Sequence, residues 1–448
     1  MSATELDRLL AYAALAALGV LGVVALRRWP RLAAAVLVVT FAFVPIWLGV
    51  TVIAYWQPAS VAAGAVVVAL LLRRSRHVWS LPDLVGVALL FVVAVELGFG
   101  MIGLTPAFTA VTVYGFAYLA GRLVGRSVDA GWLNGLVAVV FGLAGALAVV
   151  EFVTGLNPFT TYLRFGDADL LSVWGTIQTR AGLPRAEGAF GHSLALGSSM
   201  AVGVALALSS RFRPAVRLAL VAVMAAAAAV TLSRTGMVCC ILAVLLSVVC
   251  LRHGLGRRLR VILGGGLVVG GAVLLVLLRT VFVESGAEAT NSAAYRGRLL
   301  DLVTAMSPFG LTSQYSLSST GTPSYGGFAS IDNAALLTGL TYGWVPVLVL
   351  LVLLAGAVLR AVQRRAGAAT IAVIALVPAF FTVAFITQYA LVAWFVVGLA
   401  ATELETGARR SPRRRPAIPF TVPVRARDAA TPVLTAPPSF PRVSGARR

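Results

Sequence analysis

Apolar residues in this chain run in long unbroken stretches, without the period-2 alternation of half-buried strands, and arginine, proline or glycine punctuates most of the stretches. Residues 9–26, 32–55, 261–281 and 336–359 are clear cases. Each reaches or approaches the ~20 residues a helix needs to cross ~30 Å of hydrocarbon. A membrane barrel is excluded, because its strands alternate over segments of ~10 residues. The pattern predicts an all-α, polytopic membrane helix bundle. Spans are expected near 9–26, 32–55, 58–72, 83–100, 104–121, 131–153, 192–209, 214–231, 235–251, 261–281, 336–359, 368–386 and 388–402. The total is twelve to fourteen: 58–72 is short, and 368–402 reads as a pair or as one long tilted helix.

Composition agrees, with 448 residues that are 59% hydrophobic and 12% charged. The net charge of +20 contains no lysine, and the arginines do not form a nucleic-acid surface. Most fall in clusters at 27–31, 73–76, 122–126, 211–217, 252–260 and 360–365 and in the C-terminal tail. Placing every cluster in the cytoplasm threads the spans with an exoplasmic N-terminus and a cytoplasmic C-terminus. The chain then divides into a transmembrane region, 1–402, and an Arg/Pro-rich tail, 403–448, expected to be disordered. That tail is either a ligand for the anionic inner leaflet or an orientation signal. Cys239, Cys240 and Cys250 share one span and read as packing residues. No cleavable signal peptide and no internal repeat is visible.

This topology leaves two long extracytoplasmic loops, 154–191 and 282–335, and nearly all of the arginines outside the cytoplasmic clusters fall in or beside them or at one tight turn. Translocated loops are ordinarily poor in arginine. A group of them on that side points to an anionic ligand, for which the forked guanidinium is suited. Arg164, Arg180 and Arg279 are each also explained by snorkelling or a local acid. Arg185 stands with Glu187 and His192 before an apolar run, in "GLPRAEGAFGHSLALG". Arg234 occupies the whole turn between two spans, where a charge usually faces a cavity or partner. Arg296 and Arg298 begin a segment, 294–306, predicted as a short amphipathic helix on the membrane surface from the spacing of Leu299, Leu302, Val303 and Met306. Cations there oppose the helix dipole, so either an anion lies nearby or Arg298 pairs with Asp301.

After it come Tyr315, Tyr325 and Phe328, which either stack on sugar rings or pack the loop down. Asp332 and Asn333 directly precede the next span, and Asp332 is also a candidate N-cap. Glu96 and Glu151, near the outer ends of their spans, are intramembrane carboxylates with either a functional or a charge-balancing role. His77 and His253 lie in cytoplasmic clusters and read as solvated. Three histidines and three scattered cysteines form no metal constellation, and no nucleotide or nucleophile-elbow motif is present.

Four segments in order, across about residues 180–360, resemble the O-antigen ligase and O-antigen polymerase family of bacterial envelope enzymes. "RAEGAFGHSLALG" is similar to the family's Arg-x-x-Gly-x-Phe segment and following small-residue helix. "TLSRTG" is similar to its Ser-Arg turn. Arg296 followed by "SPFGL" is similar to an Arg about twelve residues before Pro-Phe-Gly, and "IDNAALLTGLTYGWVPVLVL" resembles a His-or-Asp-Asn-x-x-Leu element. Two positions depart: Ser193-Leu194 replaces a Pro-Asn, and Asp332 stands where ligases typically carry His, which leans toward the polymerase branch.

The resemblance implies a membrane glycosyltransferase that moves a glycan from an undecaprenyl-diphosphate carrier to an acceptor hydroxyl of a glycan, lipid or protein. Transfer would take place at the extracytoplasmic face of the cell membrane, inverting and with no metal, nucleotide or other cofactor. Polysaccharide-export proteins are implied as partners. Arg185, Arg234, Arg296 and Arg298 would hold the diphosphate, and Asp332, Glu187 or His192 would be the base. Asn333, Tyr325, Glu96 and Glu151 would line the cavity. The competing expectation is a transporter or flippase for lipid-linked oligosaccharide or another anion. The absence of a Pro/Gly-broken pair of midplane helices counts against it. A purely structural scaffold leaves the outer arginines unexplained.

Overall fold

The structure is a computed structural model and describes residues 17–73, 79–251, 255–284, 294–295, 297–317 and 323–410. Residues 1–409 form one compact unit, and the second, 410–448, lies outside the described residues but for Arg410. Most of the exoplasmic N-terminal segment and of the tail expected above therefore also lies outside them.

The fold is mostly helical. The principal helices are α1 (17–28), α2 (Pro30–Phe43), α3 (Pro58–Leu71), α4 (Leu81–Gly98), α5 (Leu104–Ser127), α6 (Ala130–Thr154) and α7 (Ser193–Leu208). They continue with α8 (Pro214–Val230), α9 (Arg234–Cys250), α10 (Arg257–Glu284), α11 (Ala334–Tyr342), α12 (Trp344–Val362), α13 (Ala368–Ala375) and α14 (Tyr389–Arg410). Among the described residues, α4, α5, α6 and α12 are long and apolar enough to cross a membrane, and α2, α3, α7, α8 and α9 are shorter apolar helices. The protein is accordingly a membrane protein with an all-helical bundle.

The bundle is built around α7, in which every residue except Leu194 is buried. Its small side chains let α6, α8, α9 and α13 pack around it. The crossing with α9 is closest at Gly197 and Gly236, where a Cβ on Gly236 would lie 2.9 Å from the Gly197 main chain. Two segments far apart in sequence thus meet backbone to backbone, which fixes the start of α9 beside the start of α7.

Three expected spans are broken. The 32–55 stretch ends as a helix at Phe43, because Pro45 disfavours helical backbone at Val44, which is extended (φ −108°, ψ 108°). Residues Val50–Val52 and Ala54–Trp56 then pair as a short antiparallel hairpin. The 336–359 stretch is divided between α11 and α12 at Gly343, whose φ of +92° is open to glycine and whose added Cβ would lie 2.3 Å from the Pro308 carbonyl oxygen. The 368–386 stretch holds α13 and one turn, Val377–Phe380, and the backbone from Phe381 to Gln388 is non-helical. Pro378 removes one ladder donor there, and Thr387 sits in the left-handed region (φ 47°). Irregular backbone within an apolar bundle is tolerated where protein surrounds it. Val383 and Gln388 meet that condition, being 1% exposed.

The 294–306 segment is helical at 297–300 and continues as a 3-10 turn over Asp301–Ala305. Leu299 and Leu302 are buried in a cluster with Ile331, Leu336 and Leu340, so part of its apolar side packs on the protein itself, while Leu300 and Val303 are exposed.

Candidate functional site

The tight turn between α8 and α9 is where the candidate residues gather. Thr231, Leu232 and Ser233 are all buried. Leu232 is held at φ 50°, a left-handed conformation uncommon for a residue with a large side chain. The turn presents successive carbonyls to two arginines of the 154–191 loop. Arg185 donates from Nε to the Thr231 carbonyl oxygen (3.0 Å), and Arg180 from Nη1 to the Leu232 carbonyl oxygen (2.8 Å). The chain beside them is docked by the Ala186 amide on the Val230 carbonyl oxygen (3.2 Å). Ser233 caps α9, its Oγ accepting from the Gly236 amide (3.1 Å), and Arg234 is the first, exposed residue of that helix. A cation at a helix start is disfavoured by the dipole unless an anion offsets it. Arg180 and Arg185 thus both meet the turn that leads directly into Arg234.

Gln178 organises the loop side of this group. Its carbonyl accepts the Arg185 amide (2.9 Å), its Oε1 accepts Arg185 Nη1 (3.1 Å), and its own amide donates to Glu187 Oε1 (3.2 Å). Glu187 is 1% exposed. Burial pushes its carboxyl up to about 7, against the stabilising Gln178 amide, and the nearby Glu151 carboxylate adds to the rise. Glu151 itself accepts from Asn157 Nδ2 (2.9 Å) and from the amides of Glu187 (3.1 Å) and Gly188 (2.8 Å). Three donors on one buried carboxylate offset the desolvation such a group suffers. Glu151 is thus the clasp that fixes the "RAEGAF" backbone to the end of α6. His192 is the N-cap of α7: its Nδ1 accepts the Leu194 amide (3.2 Å), so that nitrogen carries no proton. The ring meets Trp174 edge-on at 6.0 Å.

The Asp332–Asn333 element is attached to the same region through the non-helical 381–388 segment. Thr235, next to Arg234, shares a hydrogen bond with Thr382 (3.2 Å between hydroxyls), and the Ala334 amide donates to the Val383 carbonyl oxygen (3.0 Å). Asn333, rather than Asp332, is the N-cap of α11, with Oδ1 accepting the Leu336 amide (2.9 Å). The cap position needs a side chain that reaches the amide three residues on, and the backbone places Asn333 there. Asp332 is partly exposed and accepts from Ser330 Oγ (3.2 Å).

The remaining candidates separate. Glu96 is 1% exposed, and its Oε1 accepts the Gly310 amide (3.0 Å), so it binds the "SPFGL" turn to the end of α4. Tyr325 packs edge-on against Tyr315 across the Tyr315–Leu317 and Pro323–Tyr325 hairpin and shares a hydrogen bond with Thr341 (3.3 Å). Phe328 stacks edge-on with Tyr295, so these aromatics pack the loop onto the bundle. Arg298 is exposed, and Arg296 lies outside the described residues.

Four contributors carried no readable sequence signal of their role. Gln178, Asn157 and Gln388 are single amides in apolar or loop sequence, and Arg180 looked like an ordinary snorkelling residue. Gln388 donates from Nε2 to the Ala189 carbonyl oxygen (2.8 Å), tying the start of α14 to the loop beneath Glu187. Searches against family models, curated proteins and solved structures return no match to this chain.

Proposed function

We propose that the protein is a multi-pass cell-membrane glycosyltransferase of the O-antigen ligase and polymerase type, acting on an undecaprenyl-diphosphate-linked glycan at the extracytoplasmic face. The observation that carries the reading is that Arg180 and Arg185 both donate to carbonyls of the Thr231–Ser233 turn, which leads directly into Arg234, with the Asp332–Asn333 element joined to the same region through Thr382 and Val383. Departure of a lipid diphosphate builds negative charge on its oxygens. Guanidiniums already oriented by carbonyls supply preorganised stabilisation of that charge without reorganising.

In this reading Arg234 and Arg185 hold the diphosphate, and Arg180 completes the cradle. Asp332, partly exposed at the start of α11, takes the proton of the acceptor hydroxyl as the anomeric carbon is attacked. One displacement inverts that carbon. Glu187 and Glu151 are positioning groups: they are buried and fix the backbone that carries Arg185. Placing this end of the bundle outside follows from the arginine clusters at 122–126, 211–217 and 360–365 being cytoplasmic. The acceptor is a glycan, lipid or protein hydroxyl.

The test is reconstitution with a defined lipid-diphosphate oligosaccharide, following release of free lipid diphosphate and the fate of the sugar. Wild type is expected to release it. Arg234→Ala is expected to be slower by about 100-fold or more, the scale for removing one preorganised donor. Equal rates in the two proteins, at equal folded amounts, refute the assignment.

A further inference from the structure

A cavity of about 1030 Å³ lies between α4 and α12, bounded also by α5, α11 and α14. It follows α4 from Leu81 to Val93, a rise of roughly 18 Å at 1.5 Å per residue. Its walls are almost wholly apolar. Among the described lining residues, charge is confined to one end, where Arg122, Arg126 and Arg360 meet Asp83 and Glu405. Arg122 and Arg126 are ion-paired with the two carboxylates. Arg360 adds a third guanidinium at this end, with Glu403 as the acid that acts on it. The Arg360 Nη2 donates to the Arg365 carbonyl oxygen (3.2 Å), and its Nε is buried with no acceptor among the described residues. Glu403 lies near enough to act on Arg360, but its oxygens accept the Ala369 and Thr370 amides at the start of α13. Trp79 lines the same end and is 64% exposed, as expected of a ring at the level of lipid headgroups.

The far end of the cavity is different in kind, walled by Ala334, Thr338, Tyr342 and Phe381. The whole therefore has the polarity of one amphiphile, with an anionic head at Arg126 and Arg360 and chains along α4. α4 is fixed near its ends by two carboxylates, Asp83 with Arg122 and Glu96 with the Gly310 amide, and packs on α5 and Tyr342 through Leu90 and Val93, so the cavity opens on its α12 side.

We infer that this cavity is a binding site for a membrane phospholipid with an anionic headgroup, its phosphate at the Arg126–Arg360 end and its acyl chains between α4 and α12. The site is independent of the glycosyl-transfer reading. It predicts that lipid fills the gap between α4 and α12, while α4 keeps its packing on α5.

The test uses the full chain in nanodiscs with phosphatidylglycerol or phosphatidylcholine carrying a photoactivatable group midway along one chain, with the labelled peptides mapped. Wild type is expected to be labelled on α4 and α12, several-fold more by phosphatidylglycerol. Gly86 and Gly356 line the cavity, and a Cβ meets nothing closer than 3.8 Å at Gly86 and nothing within 4 Å at Gly356. Gly86→Leu with Gly356→Leu is therefore expected to fill the space without a clash and to lower labelling at least fivefold. Arg360→Gln is expected to keep labelling but lose the headgroup preference. Labelling indifferent to the filling residues overturns the site, and equal labelling by the two lipids in wild type overturns the anionic headgroup. Displacement by excess polyprenyl phosphate overturns the phospholipid as occupant, assigning the cavity to a carrier lipid.

Discussion

Two groups of arginines sit in this bundle, and they are held in opposite ways. At one end of α4 and α5, Arg122 is 1% exposed and donates from Nε to Asp83 Oδ1 (2.7 Å), while Tyr118 donates to the same oxygen (2.7 Å). Arg126 reaches Glu405 at 2.9 Å. Charge there is met by charge. At the α8–α9 turn, Arg180 and Arg185 instead donate to main-chain carbonyls, and Arg234 stands exposed at a helix start. The first arrangement joins α4, α5 and α14 into one unit. The second holds two guanidiniums on carbonyls of one turn beside the start of α9, the arrangement on which the proposed anion site rests.

The sharpest way to break this comparison is to remove one arginine from each group. Arg122→Met leaves the buried Asp83 carboxylate without its main partner and is expected to cost about 3–5 kcal/mol. Arg185→Met removes charged hydrogen bonds to a carbonyl and an amide and is expected to cost about 1–3 kcal/mol. Thermal unfolding of the two variants in detergent, against wild type, measures the gap. A larger loss for Arg185 would mean that the turn cluster, too, is a structural brace.

Much of the architecture was legible in the chain because apolar length carries it. The helices α4, α5, α6 and α12 all fall on expected spans. The breaks at Val44, Gly343 and Phe381–Gln388 are hidden by apolar composition that continues through them: Pro45 and Pro378 mark two of them locally, and the break at Gly343 is demanded by a tertiary contact, the Pro308 carbonyl. The site was legible in part. Arg185 and Arg234 stood out because charge beside a span is costly, and the structure joins them at one turn. Arg180 and Gln178 did not, since a loop arginine and a loop amide look alike whether or not a strained turn awaits them. Glu96 and Glu151 were noticed for the same reason as the arginines but prove to be clasps for backbone amides. A carboxylate's cost is visible in sequence, and its partner is not.

Glu187 sharpens the comparison through pH. Its carboxyl rises from an ordinary 4.5 to about 7 on folding, so the folded protein binds that proton more tightly than the unfolded chain. Stability from this group is fully present below about 4.5, declines as pH rises, and is lost above about 7. The loss is on the order of 3 kcal/mol. Glu187→Gln removes it, so the variant's melting temperature should fall less between pH 5 and 8 than that of wild type. Parallel curves for the two proteins would show that Glu187 is ionised and paired throughout, making it a charge partner like Asp83 and erasing the distinction between the two ends.

The smallest effect separates two adjacent residues. Asn333 caps α11 through the Leu336 amide, whereas Asp332 meets only Ser330 Oγ in the described contacts. Asn333→Ala is expected to cost about 1 kcal/mol, read as a small fall in melting temperature. Asp332→Asn leaves that cap in place, so its melting temperature should match wild type while the proposed glycan transfer slows by about 100-fold or more, from the lower end of the range for a lost general base upward. If Asp332→Asn melts lower and transfers normally, the carboxylate is a structural group and proton transfer belongs elsewhere near the turn. His192 is then the next residue to test: its Nδ1 is unprotonated and accepts the Leu194 amide, and only its Nε2 is left to face an acceptor hydroxyl.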